Sequence, residues 1–173
     1  MDIYKVDVTG ADIFANNYGV VILYNNKYPY AYKFDPSLQK KIRKLASKGE
    51  YGVAYDRRIK PRLYCSIVFL LFKQISQEHQ VHDSDFEIHF CNDFDGYQNV
   101  IIERLCHLTK TNFIFKDIHI DNYSFRRHSK SSKIQKYCLA LSRNEYSGLS
   151  IINLDENDIH NLIAKKKLER KSW

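Results

Sequence analysis

The chain has 173 residues, of which 44% are apolar and 27% charged, and it contains only six glycines and three prolines. This composition excludes disordered, collagen-like and low-complexity proteins, and it predicts a globular protein with a buried core. Lysine and arginine outnumber aspartate and glutamate by 27 to 20, which favours a polyanionic partner such as nucleic acid.

The apolar runs and the cysteines indicate the cellular location of the protein. No apolar run approaches the roughly 20 residues of a membrane helix, and the first residues lack the basic and apolar pattern of a signal peptide. We therefore expect a cytoplasmic protein without a membrane partner. The four cysteines are widely spaced and form no C-x-x-C pair, which favours free thiols over a disulfide framework or a zinc knuckle.

The first third of the chain reads as three strands and a helix. Residues 2–9 alternate between apolar and polar and end at Gly10, as a strand does before a turn. Residues 18–24 and 28–34 are rich in β-branched and aromatic side chains and flank a turn of sequence NNK, so they predict a hairpin. Asp35 then begins a short basic helix that is predicted to end at Gly49.

The rest of the chain alternates between helices and strands. Residues 61–78 predict a well-buried helix, 86–91 a strand, 98–109 a helix, 112–120 a strand, 121–132 a polar loop and 134–141 a helix. The tail from residue 149 could add a short strand and a helix capped by Asp155 or Asn157. We accordingly divide the chain into a domain at 1–148 and an extension with a basic tail at 149–173.

Charge is concentrated in runs. Residues 40–62 hold nine basic and two acidic residues, and 126–143 hold six basic residues and no acid. Between them, 78–95 contain six acids and neither lysine nor arginine. Charge runs are often only solvated faces, and that alternative applies to each run. As a group, the basic residues predict contacts to a phosphate backbone, and those assigned to it are Arg57, Arg58, Lys60, Arg126, Arg127, Lys130 and Lys133.

The predicted element order indicates an α/β fold with a mixed five-stranded sheet, an antiparallel hairpin start and parallel crossovers, flanked by helices. This order over roughly residues 1–145 resembles the ribonuclease H-like fold of ribonucleases H, Holliday-junction resolvases and transposases. Asp7 in YKVDVTGA matches the catalytic aspartate that such proteins carry in the first strand. Asp93 in HFCNDFDG, with Asp95 as the substitute, matches a second acid at the end of the fourth strand.

The resemblance implies a metal site held by these acids. Neighbouring strand ends would let Asp7, Asp93 and Asp95 bind Mg²⁺ or Mn²⁺. For the third catalytic residue the candidates are Glu78, Asp117, Asp121 and His128, and Asp121 at the end of the fifth strand is preferred. Asp7 lies between two valines, where a carboxylate is costly unless it is paired or metal-bound. For Asp93 an ordinary Asx turn is an equal alternative. The family's further carboxylates on helices have no counterpart, because residues 61–77 and 131–144 contain no acid.

The sequence lacks the glycine-rich motifs of P-loop hydrolysis, dinucleotide binding and acyl transfer. The leading hypothesis is a divalent-metal-dependent nuclease or resolvase that cleaves a phosphodiester. The alternative is a non-catalytic nucleic-acid-binding or assembly module on the same scaffold. The expected partner is DNA or an RNA–DNA hybrid. A second copy of the chain, forming a homodimer, is a further candidate partner.

Overall fold

The computed structural model describes residues 1–52, 58–81, 85–91, 96–111 and 120–164. In these ranges the protein is α/β, with one mixed sheet and five α-helices. The strands are β1 (Asp2–Thr9), β2 (Gly19–Tyr24), β3 (Tyr28–Lys33), β4 (Phe86–Phe90), β5 (Tyr123–Phe125) and β6 (Ser150–Ile151). The helices are α1 (Pro36–Ser47), α2 (Ile59–His79), α3 (Gln98–Thr111), α4 (Lys133–Ser142) and α5 (Glu156–Ala164).

The strand order across the sheet is β5-β4-β1-β2-β3-β6. β2 runs antiparallel to β1 and β3, whereas β4 pairs parallel with β1, β5 with β4 and β6 with β3. The predicted antiparallel start followed by parallel crossovers is confirmed. The predicted strand number is wrong, because Ser150 and Ile151 add a sixth strand beside β3.

Local signals explain the hairpin and the first helix. Asn25 and Asn26 both have positive φ, 49° and 55°, which suits the tight turn whose twist matches the flanking strands. Asp35 caps α1 by accepting hydrogen bonds from the amides of Ser37 and Leu38. The helix ends just before Gly49, which has a φ of 74°. Both elements follow the sequence-based prediction.

The position of β5 differs from the prediction. The sequence predicts a polar loop over 121–132, yet Tyr123 and Phe125 pair with β4 and pack on the core, so the prediction is wrong for 123–125. A strand of three residues is too short to show a period in sequence. Of the strand predicted at 112–120, residues 112–119 lie outside the described residues, and Ile120 begins a 3-10 turn, Ile120–Asn122.

Helices cover the two faces of the sheet unequally. One face packs on α1 and α2 around residues such as Tyr4, Val6 and Phe90, and α3 and α5 pack in turn on α2. Among the described residues, the other face packs on α4 through a smaller cluster of Val21, Leu23, Ala31, Ile134, Cys138 and Leu141. α4 contacts β1, β2 and β3 and covers this side of the sheet over these strands, so this side is called the α4 face.

The last described helix belongs to the same core as the residues before it. Ile159, Leu162 and Ile163 of α5 are buried in the larger cluster. Arg62 Nη1 donates to the carbonyl of Ile163 at 2.8 Å, and Arg104 Nη2 donates to that of Leu162 at 2.7 Å. Cationic groups at a helix carboxyl end are stabilising, so these arginines hold α5 against α2 and α3.

All four cysteines are free thiols; Cys65 and Cys138 are buried, and Cys91 and Cys106 are half-buried. None of the helices in the described ranges combines the length and apolar character needed to cross a bilayer.

Candidate nucleic-acid site at the carboxyl end of the sheet

Strands β1, β3, β4 and β5 are mutually parallel, so all four terminate at one end of the sheet, here called the carboxyl end. Two backbone hydrogen bonds connect the chain there: Cys91 N donates to Val6 O at 2.9 Å, and Arg126 N donates to Phe90 O at 2.7 Å. The ends of β1, β4 and β5 are therefore side by side. Crevices at the carboxyl ends of strands are the usual ligand sites of open α/β sheets.

Asp7 lies near this end and points to the α4 face, because its neighbours Val6 and Val8 pack on the opposite face. Its side chain is 1% exposed. Asp7 Oδ1 accepts a hydrogen bond from Val8 N at 2.8 Å. Asp7 Oδ2 accepts one from the amide Nε2 of Gln135 in the first turn of α4. Two donors thus compensate a carboxylate that would otherwise be costly to bury.

Further polar side chains share the α4 face with Asp7. Lys5 pairs with His89, and His89 pairs with Ser124, so these three lie in a row across β1, β4 and β5. His89 Nε2 is 2.8 Å from Glu87 Oε2. The Ser124 hydroxyl and His128 Nε2 are buried and have no hydrogen-bond partner among the described residues. Buried polar atoms without a partner are exceptional, and a bound ligand is one of the explanations for them.

Asp121, predicted at the end of a strand over 112–120, precedes β5 in the structure, and residues 112–119 of the predicted strand lie outside the described residues. It is exposed in the 3-10 turn before β5. Tyr123 is level with Ile88 and hence with Tyr4, which places Asp121 near the start of β1. Tyr4 is three strand residues before Asp7, which is about 10 Å along the sheet, and β5 lies two strands from β1, about 9.6 Å across it. The two carboxylates are too far apart to share a cation.

The other predicted acids, Asp93 and Asp95, lie outside the described residues, as does Arg57. No group of three or more histidine, cysteine, aspartate or glutamate side chains able to hold a metal occurs within the described part of the chain. At the carboxyl end, the oxygen-bearing groups that the described residues offer beside each other are the Asp7 carboxylate and the Gln135 amide. Both are oxygen-bearing groups of the type that Mg²⁺ and Mn²⁺ prefer, so the donors fit in kind, and a complete set requires ligands from elsewhere.

Several basic residues lie in segments next to this end. Arg126 and Arg127 directly follow β5, and Lys130 is in the loop toward α4. Arg58 precedes the first residue of α2. The start of α2 is on the same side, because Lys60 forms an ion pair with Asp12 in the loop after β1. Although burial opposes it, the hydrogen bond from Lys60 helps to lower the pKa of Asp12.

Lys133 differs from the other predicted phosphate contacts. Its Nζ donates to the carbonyl of Asn26 at 2.8 Å. Asn26 is in the hairpin turn at the opposite end of the sheet, because Tyr24 is level with Tyr4. The structure thus brings Arg58, Lys60, Arg126 and Arg127 toward the end that holds Asp7 and directs Lys133 away from it.

Gln135 was not identified from the sequence. It is neutral, and it belongs to a helix that the sequence indicates by its apolar spacing and its basic residues. Its contact with Asp7 joins positions 128 residues apart, so no local pattern could have indicated it. Comparisons with protein-family models, with curated proteins and with solved structures found no match.

Proposed function

We propose that this protein is a divalent-metal-dependent nuclease or resolvase that cleaves a phosphodiester of nucleic acid at the carboxyl end of the sheet. The observation that carries the proposal is the position of Asp7. It is a buried carboxylate beside the end of β4, and the exposed Arg126 and Arg127 follow the adjacent strand β5. A carboxylate for the cation and arginines for the polyanion are the two components that metal-assisted phosphoryl chemistry requires.

The sheet supports a ribonuclease H-like fold as part of this proposal. The resemblance implies an antiparallel three-stranded start, parallel crossovers and a fourth strand next to the first. The described residues have these features. These features matter for the proposed function because the amide of Cys91, the last described residue before 92–95, donates a hydrogen bond to the carbonyl of Val6, next to Asp7.

Asp7 is assigned as a ligand of Mg²⁺ or Mn²⁺, together with Asp93 or Asp95 from the segment after β4. The cation would stabilise negative charge on the phosphodiester. Asp121 has no part in this assignment because of its distance. Arg58, Arg126, Arg127 and Lys130 would bind phosphates, so binding should weaken steeply with salt.

Cleavage assays with Asp7→Asn test the proposal. RNA–DNA hybrid, duplex and four-way-junction substrates are incubated with Mg²⁺ or Mn²⁺ and either parent or variant. The control is Asp121→Asn, which removes the same charge at the opposite end of the sheet. We expect at least one substrate to be cut by the parent and by Asp121→Asn, and to be bound but not cut by Asp7→Asn. Equal cleavage by all three proteins would refute the role of Asp7.

One observation favours a second function, a non-catalytic nucleic-acid-binding module. The Gln135 amide donates to Asp7 Oδ2, and a carboxylate satisfied by neutral donors needs no cation. In that case neither the parent nor the variant cuts any substrate, yet both bind nucleic acid with the same salt dependence. Mn²⁺ binding measured by calorimetry would then be identical for the parent and Asp7→Asn.

A further inference from the structure

A cavity of about 520 Å³ opens beside the end of β3. The loop after β1, the start of α1 and the connection between β6 and α5 form its walls. Phe34, Leu38 and Leu154 supply apolar surface, and the polar or charged lining residues are Asn17, Tyr32, Lys33, Asp35, Ser37, Asn153 and Glu156. The volume is within the range of roughly 300–1,000 Å³ that is typical of small-ligand sites.

Tyr32 is the most informative residue of this cavity. Its side chain is 6% exposed, and its ring lies 5.8 Å from that of Phe34. Its hydroxyl forms no hydrogen bond with any described residue. Burial, with Asp35 and Glu156 close to the hydroxyl, raises the pKa of Tyr32 to about 12. The neutral hydroxyl therefore has two carboxylates nearby and no hydrogen-bond partner among the described residues, and it is not one of the fully buried unpartnered oxygens, so it is accessible from the cavity.

In each of the two carboxylates, one oxygen accepts hydrogen bonds from described residues and the other accepts none. Asp35 Oδ1 caps α1, accepting from Ser37 N at 2.7 Å and Leu38 N at 3.1 Å. Glu156 Oε1 accepts from Lys41 and His160. The second oxygen of each carboxylate receives no hydrogen bond from a described residue. The cavity is therefore rich in acceptors.

The side-chain amides of Asn17 and Asn153 are likewise unbonded within the described ranges. This chemistry suits a flat group that donates hydrogen bonds at one edge and rests on apolar surface. The two carboxylates disfavour phosphate, and Lys33, the cation in the lining, donates to Asn144 Oδ1. Bases with an exocyclic amino group meet the requirement, since carboxylates accept from the amino group of cytosine, and thymine has no such donor.

The cavity is connected to the site at the carboxyl end. β3 ends on the same side as β1, and Thr9 Oγ1 donates to Asn17 O at 2.7 Å. The loop that contributes Asn17 also contributes Asp12, the partner of Lys60. A strand whose phosphates lie on the basic residues could therefore place an unstacked base in the cavity.

We propose that this cavity binds one unstacked nucleobase through its exocyclic amino group, with Tyr32, Asp35 and Glu156 as the recognising residues. The inference rests on the proposed function for the source of the base, and it assigns a substrate with a single-stranded or distorted segment. Recognition of splayed bases by their hydrogen-bonding edges is common for single-stranded targets.

Binding of free nucleosides tests the cavity alone. Deoxycytidine and thymidine are titrated separately into the parent, Tyr32→Phe and Asp35→Asn, and binding is followed by calorimetry. The first variant keeps the ring, and the second keeps a residue able to cap α1. The control is Tyr30→Phe, which removes a hydroxyl from the same strand outside the cavity. We expect the parent and the control to favour deoxycytidine by about tenfold and the two cavity variants to lose that preference.

Oligonucleotides of deoxycytidine and thymidine then test the link to the basic residues. A cytidine preference that disappears in Tyr32→Phe supports the whole inference. If free deoxycytidine binds selectively but no oligonucleotide binds, the cavity assignment holds and the proposed function fails. If nucleosides bind equally or not at all, or if methylguanidinium binds more tightly than deoxycytidine, the base assignment is overturned even where oligonucleotides bind.

Discussion

Gln135, in the first turn of α4, donates a hydrogen bond from its side-chain amide to the buried carboxylate of Asp7 in β1. This contact joins the helix to the strand that carries the candidate site. Removing the amide should leave Asp7 with one donor fewer in a buried setting. We expect Gln135→Leu to lower the free energy of unfolding by about 1–3 kcal/mol, measured by urea denaturation at pH 7.

Gln74 offers the matched control for this change. Its amide donates to Glu78 on the exposed surface of α2 at 3.2 Å. Gln74→Leu should cost no more than about 0.5 kcal/mol. In a double-mutant cycle, Gln135→Leu and Asp7→Asn should be coupled by at least about 0.5 kcal/mol. Simple additivity would show that the contact contributes nothing to stability.

Arg126 and Arg127 should contribute to binding without sequence preference. Replacing both by alanine should weaken binding evenly across duplex sequences and reduce the slope of log K against log salt by roughly 2. The control replaces Lys73 on α2 and Lys110 on α3 by alanine, which lowers the net charge by the same amount. Fluorescence anisotropy between low and moderate salt measures the slopes. Equal slopes for both double variants would show only an effect of net charge.

Gly19 allows α4 to approach the sheet. A Cβ at this position would be 2.7 Å from Leu141 Cδ2 and 2.9 Å from the carbonyl oxygen of Tyr32. Gly19→Ala should destabilise the protein by about 1–3 kcal/mol, because the helix or the strand must shift. Combining it with Leu141→Ala should cost less than the sum of the two single changes, as thermal or urea unfolding can show. Strict additivity would contradict close packing at this point.

Tyr30 links α2 to β3 through a pH-dependent contact. Its hydroxyl donates to Glu78 Oε2 at 2.6 Å, and this bond, followed by that from Gln74, lowers the pKa of Glu78. A lowered carboxyl pKa stabilises the folded state above the ordinary glutamate pKa of about 4.3, and this stabilisation disappears as the pH falls through the folded value. Tyr30→Phe should therefore be less stable than the parent at pH 6, and the difference should shrink toward pH 3.

Because Glu78 is exposed, the effect at pH 6 should not exceed about 1 kcal/mol. Tyr28→Phe is the control, since the Tyr28 hydroxyl bonds to no described residue. Chemical denaturation at several pH values compares the three proteins. A difference between the parent and Tyr30→Phe that stays constant from pH 6 to pH 3 would exclude Glu78 as its origin.

Much of the secondary structure was predictable because its signals are local. The Asn25–Asn26 turn, the Asp35 cap and the apolar spacing of 134–141 each depend on residues a few positions apart, and each predicted element was found. Alternation in the strand also places Asp7 on the face opposite Val6 and Val8, whereas its burial depends on the packing of α4 on that face.

Tertiary structure decided the rest. Only the register of β5 on β4 shows that Asp121 is at the opposite end of the sheet from Asp7. Only the packing of α4 brings Gln135 to Asp7, and only the close approach of β3, α1 and the residues before α5 forms the cavity around Tyr32. Sequence patterns report the period of one element, whereas these relationships depend on the distances between elements far apart in the chain.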